Sequence, residues 1–284
     1  MTVDRALRDS INHRLANLAA EQQVAPDRIR RHFVFQRILV RLSADDNWVL
    51  KGGFALEVRL GLDARATKDL DLAMLEDLDG VEVQDRLLDA LDVDADDGLT
   101  FQVSAPRATA SDEAGNPGWT FTVTSVLGGK VFASLRLDVV ARSDEIAGAV
   151  GTIEVLPPIL AERLSSTAMP AVDVAQHAAE KFHAMARTYA GGRPSSRVKD
   201  LVDVVLLAEA GLLPHPDLAS RLQTVWQVRD GVPPPAQLPE FPAAWLGDYA
   251  AMAAQLDLDI DYPTARSTAE RLFAAALATE ENQP

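Results

Sequence analysis

Two patterns of apolar positions divide the 284-residue chain. Residues 4–20 and 26–43 carry apolar side chains at the three- and four-residue spacing of helices. The segments that follow are short, and they alternate apolar and polar residues or are continuously apolar, as strands are. The predicted strands are NWVL, DLDLAML, LTFQVSA, WTFTVTSVL and KVFASLRLDVVAR, with helices predicted at FALEVRLG and at residues 82–92.

From about Asp173 onward the spacing is helical throughout. We therefore predict an α+β protein: a mixed β-sheet with flanking helices occupies residues 1–172, and a helical bundle occupies residues 173–284. The predicted bundle helices are 173–190, 196–210, 217–229, 242–256 and 263–279.

The composition excludes several classes of protein and of functional site. Apolar residues make up 48% and charged residues 24%, which is ordinary for a folded domain. Cysteine is absent, which excludes disulfides, thiolate metal sites and cysteine nucleophiles. The chain contains no apolar run long enough to span a bilayer, and its first residues, MTVDRALRDS, do not form a signal peptide. We expect a cytoplasmic protein with no membrane partner.

The net charge of −15 argues at first against a nucleic-acid partner, but the charge is unevenly distributed. Residues 69–97 hold twelve acids and one arginine, whereas residues 1–41 hold eight basic residues and four acids. Residues 181–199 hold five basic residues and no acid. Because charges are screened beyond about 8 Å at physiological salt, a polyanion can meet the basic segments without meeting the acidic one. A purely solubilising role for these charges is the alternative.

Asp69 and Asp71 lie one residue apart in the predicted strand DLDLAML. Side chains at i and i+2 of a strand point to the same face, so both carboxylates project from the side opposite Leu70 and Leu72. Two such carboxylates repel each other unless a cation lies between them, and Mg²⁺ binds one or two carboxylates together with phosphate oxygens. An ordinary strand with two solvated acids is the alternative interpretation.

Lys51, Gly52 and Gly53 stand between a predicted strand and a predicted helix. The free N–H groups of a helix start attract phosphate, and glycine lets an anion approach the backbone closely. A plain strand-to-helix turn has the same sequence features. Beside the aspartate pair, however, this turn indicates a site for a nucleoside triphosphate (NTP) and a divalent cation. The expected cation is Mg²⁺, and Mn²⁺ can replace it.

Asp138 alternates with Leu137 and Val139 in the segment SLRLDVV. If this strand neighbours the strand of Asp69 and Asp71, three carboxylates converge. Such a set can hold two metal ions and leave one carboxylate to deprotonate an attacking hydroxyl. A solvent-facing strand residue is an equally open interpretation of Asp138.

Four sequence blocks resemble those of a known family. In chain order they are LKGGFALEVRLG, RATKDLDL, AQHAAEKFHAM and RVKDLVDVVLL. The glycine turn, the short helix, the Asp-x-Asp pair and the later carboxylate resemble the DNA polymerase β-type nucleotidyltransferase superfamily. More narrowly, the chain resembles the AbiEii/AbiGii toxins, MenT-like nucleotidyltransferases of type IV toxin–antitoxin pairs. The superfamily usually has Gly-Ser where this chain has Gly52-Gly53, so backbone N–H groups and a cation must supply the phosphate contact.

The resemblance implies roles for residues that spacing alone does not single out. Lys181 is expected to contact the phosphates or stabilise charge in the transition state. Asp203, on an otherwise apolar helix, is expected to orient Lys181 or the nucleobase, and as a buried carboxylate it needs a partner such as Lys181 or Lys199. Residues 1–172 are expected to form a nucleotidyltransferase-like catalytic domain, and the helical half, residues 173–284, is expected to complete the active-site cleft. The expected catalytic residues are Asp69, Asp71, Asp138, Lys181 and Asp203, with Asp69, Asp71 and Asp138 as metal ligands. The expected nucleotide-binding residues are Lys51, Gly52, Gly53, Arg65, Lys68, Arg197, Lys199 and Asp200.

The resemblance also implies a reaction and its partners. The expected activity is Mg²⁺-dependent transfer of a nucleoside monophosphate from an NTP to the 3′ end of tRNA, which blocks aminoacylation. A cognate antitoxin is an expected partner. Transfer onto a protein hydroxyl and nucleotide binding without turnover are the alternatives. Alanine at Asp69, Lys181 or Asp203 is expected to abolish transfer with little change in melting temperature.

Overall fold

The computed structural model describes residues 3–109, 118–141, 143–159, 164–189 and 193–280. The chain divides into two compact units, and two short segments before residue 172 belong to the second. The predicted functional division at residue 172 stays a prediction. The first unit comprises Met1–Val58, Ala66–Ser143 and Val150–Ala171; the second comprises Arg59–Arg65, Asp144–Ala149 and Val172–Pro284.

A mixed β-sheet forms the frame of the first unit. Its strands are β1 (Trp48–Lys51), β2 (Asp69–Met74), β3 (Leu99–Val103), β4 (Arg107–Ala108), β5 (Gly118–Leu127), β6 (Lys130–Ala141), β7 (Val150–Val155) and β8 (Thr167–Val172). The strand order is β3-β5-β6-β2-β1-β8-β7, with β4 paired to β5. β2 runs parallel to β6, and β1 runs parallel to β8 but antiparallel to β2.

The two faces of this sheet differ in polarity because apolar and polar residues alternate along β2, β5 and β6. Leu72, Leu137 and Phe121 point into a core that also contains Phe33 and Leu87 from the covering helices. The polar residues of the same strands therefore lie on the opposite face. The helices of this half are α1 (Val3–Glu21), α2 (Pro26–Leu42), α3 (Gly52–Leu60) and α4 (Gly80–Leu91).

The second unit is helical. α7 packs against α6, α9 and α10, and it buries nearly all its residues from Val198 to Leu207. A helix that is apolar on most sides belongs in the middle of a bundle. The elements are α5 (Ser143–Ile146), which begins at the unit boundary, α6 (Val174–Ala186), α7 (Val198–Glu209), α8 (Leu218–Asp230), α9 (Trp245–Gln255) and α10 (Tyr262–Glu280), with a two-stranded ribbon of β9 (Thr188–Tyr189) and β10 (Arg193–Pro194).

The structure confirms the predicted fold class, a mixed sheet with flanking helices followed by a helical bundle. The predicted helix at 173–190 ends earlier, at Ala186, because the chain enters β9 at Thr188. Sequence patterns did not predict β7 and β8, which flank a proline-containing connector and include Pro170 within β8. Within the described ranges, no helix combines the length and apolar character that crossing a bilayer requires.

Candidate active site

The carboxylate of Asp71 lies against the backbone of the turn formed by Gly52 and Gly53. Gly52 has a φ of 64°, in the left-handed region that disfavours residues with a Cβ atom. A Cβ atom at Gly52 would lie 2.0 Å from Oδ2 of Asp71. The backbone N–H of Gly53, in the first turn of α3, donates a hydrogen bond to the Asp71 carboxylate. Glycine is therefore required here for the close approach of Asp71, and the N–H that the sequence assigned to phosphate binds this carboxylate.

Strand register aligns four polar residues in one row across the sheet. Lys51 of β1 pairs with Asp71 of β2, and Asp71 pairs with Asp138 of β6. Asp138 in turn pairs with Thr120 of β5. Directly paired residues point to the same face, with Cβ atoms about 5 Å apart. Two of the predicted carboxylates are thus direct neighbours, and Asp69 lies two residues along on the same face of β2.

The pKa of Asp71 reflects its burial and its charged neighbours. The pKa is raised to about 6, first by burial and then by the carboxylates of Asp138 and Asp69, which together outweigh the lowering effect of Lys51. A carboxylate with a raised pKa is less stable in its charged form than in water. A divalent cation at this position would reverse that effect, because it would supply the missing positive charge.

The same face offers oxygen ligands for a metal ion, but Asp138 is already engaged. Its carboxylate accepts hydrogen bonds from the Thr120 hydroxyl, at 2.5 Å, and from Nε of Arg136, at 3.0 Å. Across the described residues, no group of three His, Asp or Glu side chains stands ready to hold a metal ion. Carboxylate oxygens are the ligands that Mg²⁺ prefers. Asp69 and Asp71 are candidate ligands for such an ion, and Asp138 would join them once Arg136 moves away.

A buried ion cluster lies in the second unit and has Asp203 at its centre. Asp203 is fully buried on α7. It accepts a hydrogen bond of 2.6 Å from Nζ of Lys181 on α6, and two of 3.2 and 3.0 Å from Nε and Nη2 of Arg65. Lys181 is thus one of the two partners foreseen for Asp203. Arg65, expected near the triphosphate, is the second partner.

Charges within this cluster keep Asp203 and Lys181 ionised despite their burial. Burial alone would raise the pKa of Asp203, but Lys181 and Arg65 lower it to about 2. Burial would lower the pKa of Lys181, yet Asp203 and Asp200 raise it above its usual value. The cluster is therefore fully charged at neutral pH.

Asp200 extends the cluster by one helical turn. It accepts a 3.3 Å hydrogen bond from Lys181 and a 2.6 Å hydrogen bond from Nε of Arg197. Lys199, on the same helix, is half-buried. Lys68 is exposed and belongs to the first unit, where it precedes Asp69. The predicted site residues thus form two groups, one in each unit, and their meeting in one cleft stays a prediction.

Sequence reasoning missed Arg136 and Thr120, although both touch the predicted site. Arg136 lies two residues before Asp138 on β6, so the strand period places both side chains on one face. That signal was available in the segment SLRLDVV. Thr120 lies eighteen residues before Asp138, and only the register between β5 and β6 brings the two together.

Comparisons with known proteins identify the family. Two solved structures from Helicobacter pylori are similar in fold: JHP933, with a TM-score of 0.52, 19% identity and coverage of 89% of this chain and 94% of that one, and a putative nucleotidyltransferase, with a TM-score of 0.50, 19% identity and coverage of 89% and 97%. MenT4, a nucleotidyltransferase toxin from Mycobacterium tuberculosis H37Rv, aligns with a TM-score of 0.49 and 20% identity over 94% of this chain and 98% of that one. The search of curated proteins gave no significant match. The sequence profile described as "Nucleotidyl transferase AbiEii toxin, Type IV TA system" matches residues 34–276. The chain therefore belongs to the AbiEii family of nucleotidyltransferase toxins from type IV toxin–antitoxin systems.

Proposed function

We propose that this nucleotidyltransferase toxin transfers a nucleoside monophosphate from an NTP to the 3′ end of tRNA in a Mg²⁺-dependent reaction, and that the product cannot be aminoacylated. The observation that carries the proposal is the row of Lys51, Asp71 and Asp138 beside the Gly52 turn. It combines a cation, paired carboxylates and a helix start on one face of the sheet. Membership of the family implies that the donor is an NTP and that the toxin has an antitoxin partner.

The reaction forms one P–O bond and breaks another. An acceptor hydroxyl attacks the α-phosphorus, and pyrophosphate leaves in line with the attack. Asp69, Asp71 and Asp138 would hold the divalent cation, and Asp138 would also accept the proton of the attacking hydroxyl. When bound, that cation polarises the phosphoryl oxygens and neutralises charge on the leaving group. Lys51 stabilises the phosphate charge, and the phosphate contact that the family resemblance implies for Lys181 stays a prediction.

Basic residues that reach solvent are the ones available to an RNA acceptor. Arg5 and Arg14 are exposed on α1, and Arg197 is exposed at 40% of its side chain. Arg37 and Arg41 are different, because both are buried against Asp97. These two are excluded as RNA contacts, although they count among the basic residues of the N-terminal segment.

The test is to incubate the purified protein with Mg²⁺, total tRNA and each α-labelled NTP in turn. Label on tRNA supports the proposal. Label on protein favours transfer to a protein hydroxyl, and nucleotide retention without transfer favours a binding protein. Asp71→Asn removes a proposed metal ligand and is expected to lower transfer at least 100-fold. Its matched control is Asp89→Asn, an exposed aspartate of α4 with the same charge change, which is expected to retain activity.

A further inference from the structure

Arg136 and Thr120 occupy both carboxylate oxygens of Asp138. Nε of Arg136 lies 3.0 Å from Oδ1 and 2.9 Å from Oδ2. The Thr120 hydroxyl donates to Oδ1 and itself accepts a 3.2 Å hydrogen bond from Nη2 of Arg136. A divalent cation would bind the same two oxygens. Each oxygen has a second lone pair, but the positive charge of the guanidinium repels a cation this close, so Arg136 and a metal ion compete for Asp138.

Arg136 is also placed among the other proposed ligands. It pairs in register with Asp69 across β2 and β6, so its guanidinium lies on the face that carries all three carboxylates. Its side chain is 53% exposed, whereas that of Asp138 is 20% exposed. Asp138 is thus held in place by its surroundings. The Arg136 side chain can instead rotate into solvent without any movement of the backbone.

We propose that Arg136 is an internal counter-ion that neutralises Asp138 before the divalent cation arrives, and that it then transfers to the triphosphate that enters with the cation. This inference rests on the proposed nucleotidyltransferase site. Exchange keeps the charges balanced: the cation replaces the guanidinium at the carboxylates, and the phosphates replace the carboxylate at the guanidinium. A planar guanidinium suits phosphate oxygens as well as it suits a carboxylate. Arg136 is therefore a positioning residue for Asp138 in one state and a phosphate ligand in the other.

The proposal predicts effects of opposite sign on two binding reactions. Without nucleotide, Arg136→Gln removes the competitor of the cation. Binding of Mn²⁺, followed by electron paramagnetic resonance, is therefore expected to be about three- to fivefold tighter, as for loss of a part-exposed ion pair. With Mn²⁺ saturating, inorganic tripolyphosphate, followed by calorimetry, is expected to bind about tenfold more weakly, as for loss of one charge-assisted contact. A variant that merely damages the site weakens both.

Arg107→Gln is the matched control. Arg107 is exposed on β4 and pairs with Thr120, so it lies two strands from Asp138, about 10 Å away. It carries the same charge change without the contact, and both affinities are expected to stay within about twofold of the wild type. Arg136→Lys retains the charge and is expected to give intermediate values. It also serves as the test variant should Arg136→Gln fail to fold by circular dichroism.

Unchanged or weaker Mn²⁺ binding in Arg136→Gln overturns the proposal, as does an equal gain in Arg107→Gln. Absence of Mn²⁺ binding in both wild type and Arg136→Gln overturns it too, whereas binding in the variant alone supports it strongly. The failure of the proposed function looks different. In that case no NTP labels any acceptor, while the two affinities still move in opposite directions.

Discussion

Replacing Asp203 by alanine tests whether the buried ion cluster of the second unit is a structural support. In the wild type, Asp203 is fully buried and binds Lys181 and Arg65 at once. The alanine leaves both cations without their shared anion. The sequence alone led to the expectation of an unchanged melting temperature, and the burial of Asp203 reverses that expectation.

Two physical estimates give the size of the effect. A carboxyl pKa that falls from 3.8 to about 2 corresponds to about 2.5 kcal/mol of folding free energy at neutral pH. Removing one partner of a buried ion pair costs about 3–5 kcal/mol. Asp200 remains 3.3 Å from Lys181, and the Arg65 side chain is 21% exposed, so water can solvate it. These residual contacts favour the lower values, about 3 kcal/mol, which is about 5–10 °C in melting temperature for a protein of this size.

Thermal denaturation at pH 7, followed by circular dichroism, measures the total effect, and hydrogen exchange of peptides from α6 and α7 locates it. Asp217→Ala is the control, because this residue of the second unit is 60% exposed and makes no capping bond at the start of α8. It is expected to shift the melting temperature by less than about 1 °C.

The pH dependence has a definite sign. Because the pKa of Asp203 is lowered on folding, its contribution to stability is complete above about pH 4 and is lost as the pH falls towards 2. The difference between wild type and Asp203→Ala should shrink over that window. A melting temperature within 1 °C of the wild type at pH 7, or a difference that does not change between pH 5 and pH 3, would refute the assignment of a stabilising charge cluster.

Three further predictions concern the first unit. Gly52→Ala is expected to displace Asp71 and to abolish Mn²⁺ binding, as measured by electron paramagnetic resonance. Gly61→Ala is the control, because Gly61 has a similar φ of 63° and no atom lies within 4 Å of the added Cβ. The control should lose only about 1 kcal/mol of stability in urea denaturation and should still bind Mn²⁺. Mg²⁺ at ten times its dissociation constant should stabilise the wild type by about 1.4 kcal/mol, and a similar gain in Asp71→Asn would contradict the proposed ligand. Asp97→Asn should destabilise the protein by about 3 kcal/mol, because it leaves two buried arginines of α2 without their carboxylate; a urea midpoint equal to that of the wild type would contradict this.

Residues close together in sequence were the ones whose placement could be predicted. The strand period put Asp69 and Asp71 on one face, and the helical period put Asp203 on a largely apolar helix. Pairings across long separations were out of reach: Asp97 binds arginines 56 and 60 residues away. Register decides such contacts, because a shift of one residue turns a side chain to the other face. Arg65 shows the same limit, since its position near the aspartates in sequence indicated the triphosphate and its partner is Asp203.

The two groups of predicted site residues differ in net charge, and this difference refines the role proposed for Lys181. In the first unit, the three carboxylates of Asp69, Asp71 and Asp138 outnumber the neighbouring cations of Lys51 and Arg136 by one, so this group suits a further cation. In the second unit, the cations of Lys181, Arg65 and Arg197 outnumber the carboxylates of Asp203 and Asp200 by one. A lysine ammonium has three N–H donors, and among the described residues Lys181 gives hydrogen bonds to Asp203 and Asp200. One donor remains for a phosphate oxygen while the other two keep the ammonium fixed. Lys181→Arg should therefore lose most transfer activity although it retains the charge, because a planar guanidinium cannot reproduce this tetrahedral arrangement; full activity in the arginine variant would show that charge alone is required.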